Sequence, residues 1–542
     1  MRFEQQISAY SRPAAIAALI LCLFASGRPV SASGQNPPPP QTPTPAQAAV
    51  IGAQGPLLQI TADEAVKMAI ENNLGIQSQR LSPQIQALLL SQTRAAYAPL
   101  LFSNTTKSST SNPPQNFLVG NDFTTNAGVR NNTGFQQLLK WGGGRYTASI
   151  DGSRNTTSDR TDAFNPRLSS NFNLNYTQPL LRDFSIDNTR QQLLIGQKQQ
   201  EIVDVQLQQQ VTQTARAVRS AYFDLVGAIG QLDVSRKSLE LANESLRNNK
   251  KRVEVGTIPP IDIVEAQAEV SRNEEAVIIN EAQIKSLEDV LRTLIMNPSQ
   301  PDYWTARIEP AEQPVLTPQA VDVEGAIRNA LDKRTDLVQA RKQLEQTDIG
   351  IRFAKNQRLP GINAIVNYGL AGLGGTRTIY EEAPGGGLPV PVGTAQRSFG
   401  DSLRDVFGND FKTWSVQLQV NYPIGTSEAE AGLARGRVQR QQDVTNLHQL
   451  ELQVTAAVRD AARQVDTTLK RVEATKKARE FAEKRYEAEQ KRMTVGLSTT
   501  FQLFQAQRDL SQQQLAELNA VIAYNRALVN FEAVQIVPVN GR

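Results

Sequence analysis

Lys251-Arg252-Val253-Glu254-Val255-Gly256 returns without a gap, 240 residues later, as Lys491-Arg492-Met493-Thr494-Val495-Gly496. The register holds past each glycine, where Ile261, Ile263, Ala266 and Gln267 align with Phe501, Leu503, Ala506 and Gln507 at the same offset. Upstream, Ala65, Val66, Ala69, Ile70 and Pro99 align with Ala326, Ile327, Ala330, Leu331 and Pro360, all 261 apart. Two long repeats therefore build one object.

The segment before the first glycine has a strict heptad: Val211, Val218, Leu225, Leu232, Leu239, Leu246 and Val253. This is coiled-coil periodicity. Small residues three positions on, Ala221, Ala228, Ser235 and Ala242, let a neighbouring helix approach closely. The sister segment carries Val458, Val465, Val472, Tyr486 and Met493 on one seam and Val454, Ala461, Thr468, Thr475 and Ala482 on the other. Neither Asp187 to Val255 nor Ser427 to Val495 contains proline, so each predicts a helix of roughly 100 Å at 1.5 Å per residue. Shorter helical runs follow, Asp262 to Met296 and Phe501 to about Asn530, which makes two antiparallel hairpins with Gly256 and Gly496 as left-handed caps at their tips. An earlier helical run, Thr61 to Ala96, starts on the capping box Thr61-x-x-Glu64, and Pro83 predicts a kink or break within it.

Between the helices the period changes to two. Trp414, Val416, Leu418, Val420 and Tyr422 alternate with Ser415, Gln417, Gln419 and Asn421. Phe172, Leu174 and Tyr176 alternate with Asn171, Asn173 and Asn175, and Val366 and Tyr368 repeat the pattern. Runs of about ten residues, apolar on one face and polar on the other, fit membrane-facing strands of a transmembrane β-barrel. A fourth strand is predicted near Leu100 to Thr106, with an extra hairpin, Ala127 to Leu139 and Arg145 to Arg154, around Gly142-Gly143-Gly144. In the other repeat the corresponding stretch, Gly372 to Phe411, reads as an exposed Gly- and Pro-rich loop. About four core strands per chain are too few for the smallest closed barrels, so the barrel is expected to be shared between chains.

Arg2 and Arg12 precede an apolar run, Ala14 to Ala25, and Val30-Ser31-Ala32 offers a cleavage site, as in a secretory signal peptide. Cys22, the single cysteine, lies within that run, so the mature chain has no disulfide or thiolate chemistry. One histidine, His448, argues against a His-based metal or catalytic site. No nucleophile motif or phosphate loop is present, so catalytic residues, cofactors and metals are none, and an enzyme is not expected. A net charge of +4 in 542 residues, with no dense basic block, gives no support for nucleic-acid binding.

The twin Val-Gly tips, the strand ends Gln178-Pro179-Leu180 and Tyr422-Pro423-Ile424, and the Pro99 and Pro360 exits resemble the TolC family of outer-membrane factors over roughly Leu58 to Val537. The resemblance implies a membrane β-barrel joined to a long α-helical coiled-coil barrel, internally duplicated and trimeric, with four strands per chain making twelve. It implies an outer-membrane location with a periplasmic tunnel. The partners would be a homotrimer, outer-membrane lipid, a periplasmic adaptor and an inner-membrane pump of RND or ABC type. The adaptor-docking tips would be Arg252, Val255, Gly256, Thr257, Arg492, Val495, Gly496 and Leu497. In one respect the chain departs from the family, because the acidic ring at the periplasmic mouth of some members falls on Gln502 and Gln505. The carboxylates stand in the other repeat, at Asp262 and Glu265.

The organisation expected is a signal peptide (1–32), a Pro-rich linker (33–57), a helical part of repeat 1 (58–97) and its strands with the extra hairpin (98–182). A long helical hairpin (183–296), an inter-repeat linker (297–320) and the helical part of repeat 2 (321–359) follow. Strands with the exposed loop (360–426), the second long hairpin (427–530) and a periplasmic tail (531–542) complete it. The function expected is the passive exit duct of a tripartite efflux or type I secretion system. The alternative is a periplasmic coiled-coil scaffold with soluble β-domains, which gives no reason for matched amphipathic strands.

Overall fold

The structure, a computed structural model, describes residues 56–113, 123–159, 162–312, 318, 320–383, 387–424 and 427–538. The expected signal peptide and most of the Pro-rich linker lie outside the described residues.

The duplication is visible in element lengths. Repeat 1 runs β1 (Leu57–Ile60), α1 (Ala62–Asn72), α2 (Leu74–Ala95), strands β2 (Leu100–Asn112), β3 (Thr124–Leu138), β4 (Arg145–Thr157) and β5 (Phe164–Pro179), then α3 (Asn188–Glu254) and α4 (Ile261–Ile295). Repeat 2 runs β6 (Arg307–Pro310), α5 (Val323–Lys333), α6 (Thr335–Gln357), β7 (Gly361–Ala383), β8 (Gly387–Arg397), α7 (Phe399–Gly408), β9 (Phe411–Asn421), α8 (Glu428–Thr494) and α9 (Thr500–Val534). The long helices α3 and α8 both have 67 residues. The return helices α4 and α9 both have 35. Asp187 and Ser427 cap the long helices by accepting from Arg190 N and Glu430 N, which fixes their starts 240 residues apart.

The heptads account for the packing. Val218, Ala221, Leu225, Ala228, Leu232, Ser235 and Ala242 of α3 are buried, as are Val454, Val458, Val465, Thr468, Val472 and Met493 of α8. In the half nearer the sheet, α3 lies between α2 and α6, and α6 lies against α8; towards the tips the order becomes α4, α3, α9, α8. Where the inter-repeat linker was expected, β6 pairs in parallel with β1, from Leu57 against Arg307 to Ile60 against Pro310. The buried Tyr222 hydroxyl donates to Ile60 O and accepts from Glu312 N, which ties that small sheet to α3.

Pro83 does not break its helix: α2 runs through it. The break falls ten residues earlier, at Asn73, whose side chain accepts from Gly75 N and Ile76 N and so restarts the chain as α2. Packing of α2 on α3 holds the helix across the proline, with Leu90 against the bare face of Gly196.

The strands form one seven-stranded sheet in the order β2-β3-β4-β5-β7, with β8 on the upper part of β7 and β9 on its lower part. The expected strand count of about four is exceeded for two reasons. The extra hairpin is inserted in the sheet between β2 and β5, paired with β2 over Thr124–Gln136 and with β5 over Arg145–Asn155. The Gly- and Pro-rich stretch of repeat 2, expected as a loop, carries β8 and α7. That helix lies on the sheet face shared by Gly152, Ser170 and Gly372, where the Ser170 and Ser402 hydroxyls are 2.7 Å apart and Phe399 covers Gly152.

Candidate functional site at the helical tips

Each tip is built by the main chain. After α3, Gly256 N donates to Val253 O and Thr257 N to Arg252 O, both at 2.9 Å. After α8, Gly496 N donates to Met493 O at 3.3 Å and Leu497 N to Arg492 O at 2.9 Å. This paired pattern is the Schellman end, and it needs a left-handed residue after the cap. Gly256 has φ of +77° and Gly496 of +78°, with nothing within 4 Å of where a Cβ would stand. The two turns are thus the same object, open to solvent. Val255 (73% exposed), Val495 (68%) and Leu497 (77%) surround the glycines, so each tip presents apolar side chains beside bare backbone. Arg492 and Thr257 are exposed and Arg252 is half-buried.

The return helices start differently. Thr499 caps α9 through a full capping box with Gln502, and the Ser498 hydroxyl donates to both Gln502 Oε1, at 3.1 Å, and Glu489. By contrast α4 starts at Pro260 without a side-chain cap. Gln502 is therefore engaged in its own helix, while Gln505 and Glu265 are exposed and Asp262 is half-buried. Asp262 Oδ2 accepts from Thr500 Oγ1 at 3.3 Å, so the two tips touch through the first turns of α4 and α9.

Sequence reasoning missed a contact one turn further on. Glu269, buried between Ala266 and Val270 on the inner face of α4, accepts from Arg508 of α9 at 3.0 Å and from Arg272 at 2.9 Å. The signal was present: a carboxylate at helical spacing between two buried apolar positions needs a cation. Beside it the Ser238 and Ser511 hydroxyls are 2.7 Å apart and Gln507 Nε2 donates to Ser238 O. His448 is solvent-exposed, with Nδ1 3.2 Å from Glu451 Oε2. Among the described residues no cluster of His, Cys, Asp and Glu could hold a metal ion, and no helix is long and apolar enough to cross a membrane.

The expected membrane-facing residues fall on one sheet face. Phe172 pairs with Leu370, Leu174 with Tyr368 and Tyr176 with Val366, and those in turn lie beside Lys412, Trp414 and Val416; Leu418 and Val420 continue the face down β9, and Tyr422 follows its end. The opposite face is polar. Asp151, nearly buried, accepts from Asn132 at 2.6 Å, Asn173 at 2.8 Å and Arg130 at 3.3 Å. Asn175 donates to Asn367, which donates to Ser415.

The sequence model of the outer membrane efflux protein family matches residues 145–295 and 326–534, most of both repeats. The chain belongs to that family. It is an outer-membrane efflux channel protein, a conduit and not an enzyme, with its helical part in the periplasm. Among solved structures, a membrane protein from Pseudomonas aeruginosa is similar with a TM-score of 0.63 at 15% identity, over 92% of this chain and 96% of that one. The outer membrane channel CmeC from Campylobacter jejuni has a TM-score of 0.60 at 14% identity over 88% and 85%, and the outer membrane protein VceC from Vibrio cholerae has 0.60 at 14% over 88% and 96%. These likenesses establish the TolC-like fold. No curated protein matches the sequence.

Proposed function

We propose that this chain is the passive exit duct of a tripartite efflux or type I secretion machine. Three copies assemble around one axis, a periplasmic adaptor docks on the tips, and an inner-membrane pump of RND or ABC type supplies the energy. The observation that carries the reading is the pair of matching tips. Two helices of about 100 Å end in matching glycine turns that leave Val255, Val495 and Leu497 exposed to solvent. A backbone without a Cβ admits a partner helix at close range, and the flanking apolar residues supply area to bury. Arg252, Thr257 and Arg492 rim that surface.

Self-association is supported by the flanks. On one side Leu81, Ile85 and Leu88 of α2 and Ile278 and Ile279 of α4 are exposed; on the other, Val438, Leu452 and Phe481 of α8. Apolar stripes on opposite edges of one helical layer fit repeated head-to-tail packing that closes into a ring. At the mouth, neutral Gln505 and the engaged Gln502 stand where some members have acids, so closure there rests on helix packing, with weak block by divalent cations. Strong block of the purified channel from the tip side would rule this out.

The test uses Gly256→Asn with Gly496→Asn. Asparagine tolerates the left-handed turn, so the trimer should persist while the added side chains deny a partner close approach. A photo-crosslinker at Val255 or Leu497 should capture one periplasmic protein in cells, and the double variant should abolish both that adduct and export. Adducts unaffected by the asparagines, or none at the tips, would refute docking there.

A further inference from the structure

At the height of the apolar band this chain offers six strands, not four. One hydrogen-bonded row crosses all of them: Leu101, Phe135, Ala148, Leu174, Tyr368 and Trp414. Every member is apolar, including the two from the inserted hairpin. The next row on the opposite face reads Phe102, Gly134, Ser149, Asn173, Gly369 and Thr413, and the one above it Asn104, Asn132, Asp151, Asn171, Ala371 and Phe411. The hairpin therefore continues both faces of the wall. Its turn is anchored at the base, where Gln178 Nε2 donates to Gly142 O, Trp141 meets Phe184 edge-on at 6.0 Å, and Gly142 and Gly143 adopt positive φ. It spans the wall from that base, beside the start of α3, to the level of Phe164.

At this height the two edges of the sheet are β2 and β9, with β8 forming the edge above β9. All eleven residues of β9 are exposed, and so are most of the thirteen of β2. An open edge carries unpaired N–H and C=O groups, which hydrocarbon does not tolerate. β2 rises from α2 and β9 descends towards α8, so β9 of one copy meets β2 of the next antiparallel.

We infer that β9 pairs with β2 of a second copy of this chain, and that three copies of six strands close an eighteen-stranded barrel. The inference rests on the trimeric reading above. With the strand bases flush, Asn421 stands opposite the second copy's counterpart of Leu100, and Phe411 opposite that of Thr110. Within one chain Phe411 lies in the row of Asn104. Closure thus staggers the row by six residues per copy, an even number, which keeps polar residues on the polar face. Six residues are about 20 Å along the strand, against six strand spacings of about 4.8 Å, a tilt of about 35°, which lies in the range of closed barrels. A twelve-stranded barrel would need the hairpin expelled from the sheet, breaking the apolar row and the two ladders that join the hairpin to β2 and β5. At equal tilt the lumen is about 1.5-fold wider than with twelve strands, since diameter grows with strand number.

The sequence helps the test, because its single cysteine, Cys22, precedes the barrel. In the flush register Thr106 faces Ser415 of the neighbouring copy. Oxidised Thr106→Cys/Ser415→Cys protein should run as a covalent ladder ending at three chains, and neither single variant should. Cryo-electron microscopy of the detergent-extracted protein should show eighteen strands. Trimers with twelve wall strands would overturn this inference and leave the duct reading intact, whereas particles that are not trimers would overturn the duct reading itself. A ladder formed by Thr106→Cys with Thr413→Cys or Gln417→Cys, but not with Ser415→Cys, would overturn the flush register.

Discussion

The two repeats share their long and return helices residue for residue and differ in what they do above them. Repeat 1 spends its insertion inside the wall, as β3 and β4; repeat 2 spends its insertion on top of the wall, as β8 and α7. Helix lengths are fixed by a partner at every turn, so the duplication is preserved there. Between two strands an insertion has only to return the chain to the right edge, and either route does so.

The sharpest way to break this comparison is through glycines. A Cβ at Gly134 would lie 2.4 Å from Ala148 O in the neighbouring strand, and one at Gly372 would lie 1.8 Å from Ser402 O in α7. Gly134→Ala is expected to cost about 3 kcal/mol, at the upper end of overpacking, and to deplete trimers surviving in mild SDS. Gly372→Ala should only lift α7, seen as new proteolysis near residues 398–410 with the trimer retained. Equal damage from both would mean that α7 is part of the wall.

Asp151 tests the polar face of the inserted hairpin. Asp151→Ala leaves Asn132, Asn173 and Arg130 without their acceptor, at about 1–3 kcal/mol for unmatched donors. Asp151→Asn should lose less, as read by thermal dissociation of the trimer. The tips come next. With matching φ and no neighbours, Gly256→Ala and Gly496→Ala should each cost about 1–2 kcal/mol of local backbone strain. Because α4 lacks a side-chain cap, its first turn should exchange amide hydrogens faster than that of α9. Thr499→Ala, losing about 1 kcal/mol of capping, should remove the difference.

The smallest effect lies between the repeats, where Lys198 and Lys342 bridge Glu201 and Glu345 across α3 and α6. Hydrogen bonds from these lysines hold both glutamates below the ordinary value of 4.5 and raise the lysines. Their contribution is present above 4.5 and fades as pH falls through the lowered values. Lys342→Ala should cost about 0.2–1 kcal/mol, as for partly exposed pairs, and less in salt.

The long helices were legible because their signals are local and repeated: a seven-residue seam, a cap at Asp187 or Ser427 and a glycine end. Strands with full alternation, such as β5 and β9, were legible for the same reason. The hairpin's place was not, since its large apolar residues, Val129, Phe135 and Leu138 in β3 and Tyr146 and Ile150 in β4, are spread too thinly among polar ones to give a full alternation, and insertion depends on edges contributed by residues far along the chain. Asn73 outranked Pro83 as a break because its side chain satisfies two amides, which a proline cannot do. Glu269 was overlooked since its partner, Arg508, is 239 residues away.

The equal lengths of α3 and α8, and of α4 and α9, also constrain how such a chain can change. Deleting one residue from a single long helix would shorten its reach by about 1.5 Å and rotate every later side chain by about 100°. One tip would then stand proud of the other, facing the wrong way. Reach can be altered only by matched edits in both repeats, made in whole turns, so the duplicated gene works as a pair of gauges, each holding the other to length.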